Sequence, residues 1–515
     1  MRILTAESMR EVDRAAIEDF GIPSLVLMEN AAIGLADAIA DVFPNTASAA
    51  IFCGPGNNGG DGLALGRHLG VRGYHVELNL ATGGRQTRGD ALIQLNICRN
   101  QGLPIREIGP DDSLQMALEA AAGVDLVVDA LFGVGLKRPL EGEFAELVEA
   151  LNCLPRPRVA VDLPSGLSGS RWDIPGPHLE AELTVTFGAP KVAHIFAPAS
   201  DAVGQVVVAD LGVPPELIER AEGDLHLLLA EELAGELMPR PVASHKGDYG
   251  HVLLVAGSVG KAGAAILSAR AAVRSGAGLV TVATPREIVQ TVDASSLESM
   301  TFPLLQTETG ALAPEASSQV QELSAGKRVL GVGPGLGQDP STVEAVRSLV
   351  LESELPLVLD ADGLNAFVSA CRLLRERKAE TVLTPHPGEL ARLLEMTTAE
   401  VQSDRIRAAR HGALESGAIV VLKGHQTLIA SPEGSVFVNP TGNPGMATGG
   451  TGDVLTGLLA GLMAQGYDAL SGARLGVFLH GLAGDLAASG SSQAALVAGD
   501  LLDHLPQAFV HLGKT

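Results

Sequence analysis

The sequence predicts an α/β protein of two domains, each built around a mostly parallel sheet. Short aliphatic runs alternate with helix-forming segments along the whole chain, as expected when helices cover both faces of a buried sheet. Of the 515 residues, 46% are hydrophobic and 19% are charged, so the chain can bury large cores. A chain of this length typically holds about two to four domains.

The N-terminal half begins with two helices. Thr5 is predicted to cap a helix over residues 6–20, and Pro23 to start a second helix over residues 24–43. The strands and helices that follow indicate a doubly wound parallel sheet. Its predicted strands lie within residues 49–53, 74–80, 124–133, 158–166, 181–188 and 205–210.

An acidic stretch framed by prolines, residues 211–243, interrupts this pattern and is expected to be a linker or a connecting helix. We place the boundary near residue 225, which gives domains over residues 1–215 and 225–515. A second α/β series follows, with strands predicted within residues 251–257, 277–285, 328–337, 355–365, 381–390 and 418–430.

Composition excludes several classes of function. A formal net charge of −24 argues against binding to nucleic acid or to an anionic membrane. The four cysteines lack a C-x-x-C or similar spacing and so indicate neither a zinc site nor a disulfide framework. The charged N-terminus and the lack of a run of ~18 apolar residues predict a cytoplasmic protein.

The first candidate site is the stretch 439–455, a Gly-rich loop that leads into an apolar helix. Asp453 is predicted to lie in the first turn of that helix. Unpaired N–H groups and the helix dipole at such a helix start bind anions, above all phosphate. The alternative is that Asp453 is simply the helix N-cap.

Three further motifs follow strands of the second half. Lys423 can reach a nucleotide phosphate as a point charge, although a solvated lysine is the commoner case at a strand end. His386 stands between two prolines, where it either contacts a ligand or has only a structural role. Asp360, Asp362 and Asn365 suit metal-bound water, or an Asx turn at a helix start.

The N-terminal half offers polar residues after three strands. Residues 57–61, Asn-Asn-Gly-Gly-Asp, are similar to a phosphate-binding turn, with capping of a helix by the aspartate as the alternative. Asp129 and Asp162 each end an aliphatic strand and are expected to face a shared crevice. Together with Asn58 and Ser165 they offer the oxygen ligands that suit a hard cation.

These motifs in this order resemble the bifunctional NAD(P)H-hydrate repair enzymes over nearly the whole chain. In the first half they are NNGGDG, VVDALFGVGL and VDLPSG. In the second they include GVGPGLG, LDADGLN, LTPHPGE, VLKGHQT and GNPGMATGGTGDVL. The resemblance implies a Rossmann-like NAD(P)H-hydrate epimerase domain, followed by a ribokinase-like, ADP- or ATP-dependent dehydratase domain.

The resemblance also implies site residues. Substrate contacts in the epimerase would come from Asn57, Asn58, Gly59, Gly60, Asp61, Gly133, Val134, Gly135, Leu136, Lys137, Arg138, Pro139 and Asp162. Substrate contacts in the dehydratase would come from Ala264, Gly335, His386 and Asp453. The adenine nucleotide would contact Lys423, Gly424, His425, Gln426, Thr427 and Gly452, and potassium would bind to Asn58, Asp129 and Ser165.

Asp453 and Asp162 are the predicted catalytic residues. Asp453 would accept the hydroxyl proton of the hydrate during phosphoryl transfer, and Asp162 would handle the proton in epimerisation. Magnesium at the nucleotide and a homo-oligomeric assembly are also expected. Two residues depart from the family pattern, because Val134 replaces a common Thr and Lys261 replaces an uncharged residue.

Two rival functions follow from the same motifs. The second half also fits a plain small-molecule kinase, which would leave a stable phosphate ester. The first half also fits a non-catalytic binding module. Against the second rival, the chain keeps Asn58, Asp61, Asp129, Asp162 and Ser165 together.

Overall fold

The computed structural model describes residues 1–109, 113–136 and 138–514. These residues form two compact units: Arg2–Gly223, and Asp224–Thr515 together with Met1. Lys137, one of the predicted substrate contacts, lies outside the described residues. Among the described residues, no helix is both long and apolar enough to cross a membrane.

The first unit is a doubly wound sheet of seven parallel strands. Its strands are β1 (Ser48–Cys53), β2 (His75–Leu80), β3 (Ile105–Glu107), β4 (Leu126–Ala130), β5 (Arg158–Val161), β6 (Leu183–Phe187) and β7 (Gln205–Ala209). Its helices are α1 (Ala6–Glu18), α2 (Ser24–Val42), α3 (Asn57–Val71), α4 (Gly89–Asn100), α5 (Ser113–Ala122), α6 (Glu143–Asn152), α7 (Val192–Ile195) and α8 (Pro215–Glu219).

The strand order of this sheet is β3-β2-β1-β4-β5-β6-β7. The order therefore reverses between β1 and β4, and the carboxyl ends of these strands flank the crevice where doubly wound sheets bind ligands. Strands β1, β4 and β6 are buried almost throughout, as the aliphatic runs predict. The Rossmann-like doubly wound architecture predicted for this half is confirmed.

The structure corrects the start of α3. This helix begins at Asn57, with Gly56 as its N-cap, whereas the sequence suggested a loop through residue 62 with Asp61 as a possible cap. The predicted substrate residues 57–61 are therefore the first turn of a helix, not a loop. The cap of α1 agrees with the prediction, because the Thr5 side chain accepts a hydrogen bond from the Ser8 N–H.

The second unit contains a ten-stranded sheet. Its strands are β8 (Leu225–Leu227), β9 (His251–Val255), β10 (Leu279–Pro285), β11 (Met300–Leu304), β12 (Val329–Val332), β13 (Leu357–Leu359), β14 (Thr381–Leu383), β15 (Ile419–Leu422), β16 (Leu428–Ala430) and β17 (Val436–Val438). Its helices are α9 (Ala230–Glu236), α10 (Ala262–Arg274), α11 (Val289–Ser295), α12 (Ala316–Leu323), α13 (Pro340–Glu352), α14 (Asp362–Asn365), α15 (Pro387–Leu393), α16 (Thr398–Ser403), α17 (Arg405–Ser416), α18 (Thr451–Ala464), α19 (Ala469–Ser489) and α20 (Ala498–Leu512).

The order of this sheet is β11-β10-β9-β12-β13-β14-β15-β16-β17-β8. Strands β9–β15 pair in parallel, whereas β16 is antiparallel to both β15 and β17. The stretch 418–430 is thus a hairpin rather than a single strand. Sequence analysis also missed β3, β8, β11 and β17, which are short and offer too few aliphatic residues to be recognised.

Helix α18 is the buried centre of the second unit. Its residues from Val454 to Ala464 are all buried, and it packs closely against α10. A Cβ on Gly457 would lie only 2.0 Å from the carbonyl oxygen of Ser268 in α10, so this contact requires glycine. The packing holds the N-terminus of α18 at a fixed place beside the ends of the parallel strands.

Candidate active sites

In the first unit, Asp129 and Ser165 form a buried hydrogen-bonded pair. The Ser165 hydroxyl donates to Asp129 Oδ1 over 2.7 Å, and the Ser165 N–H donates to Asp129 Oδ2 over 2.8 Å. The Leu131 N–H is 3.1 Å from the same Oδ1. Burial raises the pKa of Asp129 to about 6, although these hydrogen bonds partly offset the increase. A cation nearby would favour the ionised carboxylate.

Asp162 lies at the end of β5 in a left-handed backbone conformation, with φ of 65°. Its Oδ1 accepts hydrogen bonds from Lys191 Nζ over 2.8 Å and from the Thr186 hydroxyl over 3.0 Å. Burial alone would raise the pKa of Asp162, but Lys191 and His194 together with Thr186 lower it below its usual value. This carboxyl group is therefore ionised at neutral pH.

The second oxygen of Asp162 faces the loop after β4. Asp162 Oδ2 lies 3.5 Å from the Val134 N–H. A Cβ on Gly133 would lie 2.7 Å from Asn58 Oδ1 and 3.1 Å from Asp162 Oδ2. The structure therefore brings together Asn58, Gly133, Val134 and Asp162, as predicted for the substrate site, and glycine at position 133 leaves room between the two polar side chains.

Two more carboxyl groups, those of Asp61 and Asp13, lie near Asp162. Burial raises the pKa of Asp61 well above its usual value, and the neighbouring charges of Asp162 and Asp13 raise it further. Burial also raises the pKa of Asp13, in α1, to about 6, although Lys191 opposes this shift. The crevice thus pairs an ionised Asp162 with carboxyl groups that retain protons more readily.

Of the predicted potassium ligands, Asp129 and Ser165 form the buried pair described above, and Asn58 lies beside Gly133. All three offer the oxygen atoms that hard cations prefer. The terminal amide nitrogen of Asn58 is buried and makes no hydrogen bond within the described protein. Because the oxygen and nitrogen of an amide exchange by a simple flip, this unsatisfied group fits a site completed by a bound ion or substrate. Among the described residues, no group of three or more His, Cys, Asp or Glu side chains is placed to hold a metal ion.

In the second unit, Asp453 lies in the first turn of α18, as predicted. The N-cap of this helix is Gly450, so the alternative that Asp453 is only the cap is wrong. Burial raises the pKa of Asp453 to about 6, and Asp360 and Asp362 add to the increase while Lys423 opposes it. Such a pKa suits a general base that works near neutral pH.

Lys423 is not a solvated lysine at a strand end. Its Nζ donates a hydrogen bond to Asp360 Oδ1 over 2.8 Å, and the Thr456 hydroxyl donates to Asp360 Oδ2 over 2.8 Å. Although burial opposes the charge, Asp360 and Glu389 raise the pKa of Lys423. A Cβ on Gly452 would lie 3.2 Å from Lys423 Nζ, so this ammonium group stands beside the N-terminus of α18.

The loops after β9 and β12 meet at the reversal of strand order in the second sheet. Here Gly335 contacts Ala264, because a Cβ on Gly335 would lie 2.9 Å from the Ala264 Cβ. Asp362 joins these loops, since its Oδ2 accepts a hydrogen bond from the Gly337 N–H over 2.8 Å and lies 3.4 Å from Lys261 Nζ. Lys261, the unusual residue of this loop, is thus paired with an acid.

His386 is the N-cap of α15. Its Nδ1 accepts hydrogen bonds from the Gly388 and Glu389 N–H groups, which is the structural role that the sequence left open. The ring is still 52% exposed, and the neighbouring Pro385 carbonyl accepts a hydrogen bond from the Lys423 N–H. His386 therefore caps a helix and also lies at the same sheet edge as Lys423.

The predicted nucleotide residues 423–427 form the turn between β15 and β16. Arg405, which sequence analysis missed, donates to the carbonyl of His425, and the Thr427 hydroxyl donates to the carbonyl of Gly424 over 3.1 Å. Gln426 adopts a positive φ of 52°. These hydrogen bonds stabilise the turn, whose first residue, Lys423, lies beside the start of α18.

The chain matches two family models, one in each unit. Residues 24–193 match the family described as YjeF-related protein N-terminus, and residues 252–507 match the NAD(P)H-hydrate dehydratase family. A bifunctional NAD(P)H-hydrate repair enzyme of Moorella thermoacetica is 44% identical over 98% of this chain and 96% of the relative. A second, of Thermofilum pendens, is 38% identical over 99% and 96%.

The chain belongs to the bifunctional NAD(P)H-hydrate repair enzymes. It is also similar to a solved ADP/ATP-dependent NAD(P)H-hydrate dehydratase of Bacillus subtilis, co-crystallised with ATP and Mg²⁺. That structure is 32% identical, with 57% of this chain and 100% of that chain covered and a TM-score of 0.49. The family confirms the resemblance drawn from the motifs.

In this repair enzyme, sequence reasoning missed the residues that support the predicted acids. Lys191, Thr186, His194 and Asp13 surround Asp162, and none carried a motif. One signal was present, because Lys191 is the single charge in the otherwise uncharged, mostly apolar stretch 183–193. A charge within such a run needs a buried partner.

Proposed function

We propose that this chain repairs hydrated NADH and NADPH in two steps. The first unit would interconvert the R and S forms of the hydrate, and the second would dehydrate the S form at the expense of ADP or ATP. The observation that carries the proposal is the position of Asp453, in the first turn of α18 and among Asp360, Asp362 and Lys423.

Dehydration is slow without help because hydroxide is a poor leaving group. We assign Asp453 to accept the proton of the substrate hydroxyl while that oxygen attacks the terminal phosphorus and the bond to the nucleotide breaks. The C–O bond then breaks, phosphate leaves and the adjacent carbon loses a proton, which restores the dihydronicotinamide. The N-terminus of α18 and Lys423 stabilise the charge on the moving phosphoryl group.

Magnesium fits this site as an ion that arrives with the nucleotide. The dehydratase of Bacillus subtilis was co-crystallised with ATP and Mg²⁺, and Mg²⁺ is commonly held by one or two carboxylates together with substrate phosphates. Asp360 and Asp362 are the carboxylates placed beside Lys423 and Asp453. When bound, the ion would neutralise the phosphate charge that builds up during transfer.

For the epimerase, we assign proton handling to Asp162. The ring nitrogen would donate its lone pair while the hydroxyl group leaves as hydroxide. A water molecule would then add to the opposite face of the ring and give a proton, by way of Asp162, to the departed hydroxide, which becomes water. Because Asp162 is ionised, it is suited to accept the proton of the incoming water. Potassium held by Asn58, Asp129 and Ser165 would add positive charge beside a crevice rich in carboxyl groups.

The test is to incubate the full chain with NADH hydrate and either ADP or ATP and to follow the recovery of reduced-cofactor absorbance. We expect absorbance to return with release of inorganic phosphate, and a mixture of R and S forms to be consumed completely. A stable phosphate ester without recovery would instead identify a plain kinase. Consumption of only the S form would contradict the epimerase activity of the first unit.

A further inference from the structure

We propose that Lys191 is a positioning residue of the epimerase site, which holds Asp162 as an ionised hydrogen-bond acceptor with one oxygen free for substrate. This inference rests on the role proposed above for Asp162. Neither the motifs nor the family resemblance assigned a role to Lys191.

Lys191 is buried, with only 1% of its side chain exposed. Its Nζ makes three hydrogen bonds: to Asp162 Oδ1 over 2.8 Å, to the Thr186 hydroxyl over 2.7 Å and to the Phe187 carbonyl over 3.0 Å. An ammonium group has three protons, so all of its donors are used. Lys191 is therefore fixed in place and has no donor left for a substrate.

The two oxygens of Asp162 have different surroundings. Oδ1 is anchored by Lys191 and Thr186, whereas Oδ2 faces Gly133 and the Val134 N–H at 3.5 Å. That loop holds the predicted substrate contacts. Lys191 thus anchors the carboxylate by the oxygen that faces the protein and leaves the other oxygen toward the crevice.

The backbone of Asp162 is held independently of Lys191 Nζ. Its N–H donates to the Val185 carbonyl over 2.8 Å, and its carbonyl lies 2.8 Å from His194 Nε2. The other ring nitrogen of His194 accepts from the backbone N–H of Lys191 over 2.9 Å. These bonds use main-chain atoms, so replacing the Lys191 side chain leaves them in place.

Four titratable groups act on this carboxylate: Lys191 and His194 from the segment after β6, Asp13 from α1 and Asp61 from α3. Burial and the charge of Lys191 lower the pKa of His194 to about 4, so this ring is neutral above that pH. Lys191 is consequently the cation in contact with Asp162, and its charge opposes the effect of the carboxyl groups of Asp13 and Asp61. Without it, three acids would share a buried crevice, and Asp162 would take up a proton.

The decisive measurement is the pH dependence of isomer exchange, with the spontaneous rate subtracted. Exchange between the R and S hydrates is followed without nucleotide, so that the dehydratase stays idle. In the unaltered chain Asp162 stays ionised between pH 8 and pH 6. We therefore expect no loss of epimerase rate through protonation of Asp162 in this range. For Lys191→Met, we expect a fall of about tenfold or more over this range with recovery at high pH, because the ionised fraction of an acid falls about tenfold for each pH step of one below its pKa.

Two threonines of β6 provide matched controls. Thr186→Val removes a hydrogen bond to Asp162 but keeps the charge of Lys191, so we expect a smaller shift of the acid limb. Thr184, on the same strand as Thr186, donates a buried hydrogen bond to the Val203 carbonyl. Thr184→Val removes this bond and should keep the unaltered pH profile. An equal loss at every pH in Lys191→Met, or an unchanged profile, would overturn the proposal.

Two more variants separate this inference from the proposed function. If Asp162→Asn keeps the epimerase rate, the role of Asp162 itself is wrong. If Asp162→Asn is inactive while Lys191→Met keeps the unaltered profile, only the role of Lys191 is wrong.

Stability gives a second measurement in case Lys191→Met folds poorly. Removing one partner of a buried pair leaves an uncompensated charge, so the double variant Asp162→Asn, Lys191→Met should be more stable than Lys191→Met alone. Trp172, the single tryptophan of the chain, lies in this unit and its fluorescence reports the unfolding. A double variant no more stable than the single one would overturn the pairing.

Discussion

Lys423 and Asp360 form an ion pair of 2.8 Å whose ammonium group lies beside Gly452 in the first turn of α18. The helix N-terminus and this ammonium group therefore place two sources of positive potential at one point. Asp453 stands at the same point as a carboxyl group with a raised pKa. A base next to an anion-binding site is what a phosphoryl transfer to a substrate hydroxyl requires.

Asp453→Asn should abolish dehydration and leave nucleotide binding largely intact. The amide keeps the size of the side chain but cannot accept the hydroxyl proton, and loss of a general base typically costs about 10²–10⁴-fold in rate. The measurement is the recovery of reduced-cofactor absorbance beside a separate titration with ADP. Asp468→Asn is the control, because Asp468 caps the neighbouring α19 and asparagine caps helices equally well. Near-normal turnover of Asp453→Asn would refute the assignment.

The pH dependence of dehydration should show an acid limb near pH 6. Asp453 must be ionised to act as a base, and burial with nearby acids raises its pKa to about 6. Activity measured as kcat/KM should therefore fall as the pH drops below this value.

Asp362→Asn tests whether the ionisation of Asp453 causes this acid limb. Removing one negative neighbour should lower the pKa of Asp453 and move the acid limb to lower pH, while asparagine still accepts the hydrogen bond from the Gly337 N–H. Asp339→Asn is the control, since Asp339 caps α13 and is not among the charges that shift Asp453. A limb that stays in place, or moves upward, would show that another group governs it.

Gly133→Ala should slow the epimerase and spare the dehydratase. The new methyl group would lie 2.7 Å from Asn58 Oδ1 and 3.1 Å from Asp162 Oδ2, so it would push these polar groups apart. We expect a loss of about tenfold or more in isomer exchange, which corresponds to about 1.4 kcal/mol.

The control for this variant is Gly56→Ala, because a Cβ on Gly56 meets no atom within 4 Å and its φ of −102° suits any residue. Both variants are assayed for isomer exchange without nucleotide and for dehydration of the S form. An equal loss in the two variants would mean that neither loop tolerates an added methyl group, and it would contradict a specific effect at Gly133.

The sequence predicts the α/β layers of each unit and the sheet edge at which each candidate site lies, because both depend on local patterns. Aliphatic runs mark buried strands, and the polar residues after them are bound to meet at one edge of a parallel sheet. This is why the sequence predicts Asp129, Asp162 and Ser165 at the ends of strands, and Asp453 in the first turn of a helix.

The residues that hydrogen-bond to the site acids could not be predicted from local patterns, because they are distant from those acids in the sequence. Thr456 contacts Asp360 across 96 positions, and Lys191 contacts Asp162 across 29. No period or motif links such residues. The start of α3 was also misjudged, since glycines in NNGGDG suggest a loop although they lie in the first turn of a helix.

Acid should destabilise the first unit through His194. This ring is buried and neutral, and its Nδ1 must accept the Lys191 N–H. Its pKa is lowered to about 4 in the folded chain, so the unfolded chain binds more protons between about pH 6.5 and pH 4. Stability is therefore complete above pH 6.5 and is lost as the pH falls through this window, by at most about 3 kcal/mol.

His194→Gln removes the titrating group and should flatten this pH dependence, even if it lowers stability at neutral pH. The measurement is urea unfolding at pH 7.5 and at pH 5, followed by the fluorescence of Trp172, whose ring lies 5.8 Å from that of Phe196. His75→Gln is the control, because the side chain of His75 is 67% exposed and its loss should leave the dependence unchanged. If His194→Gln loses as much stability between the two pH values as the unaltered chain, the acid sensitivity of this unit comes from its carboxyl groups instead.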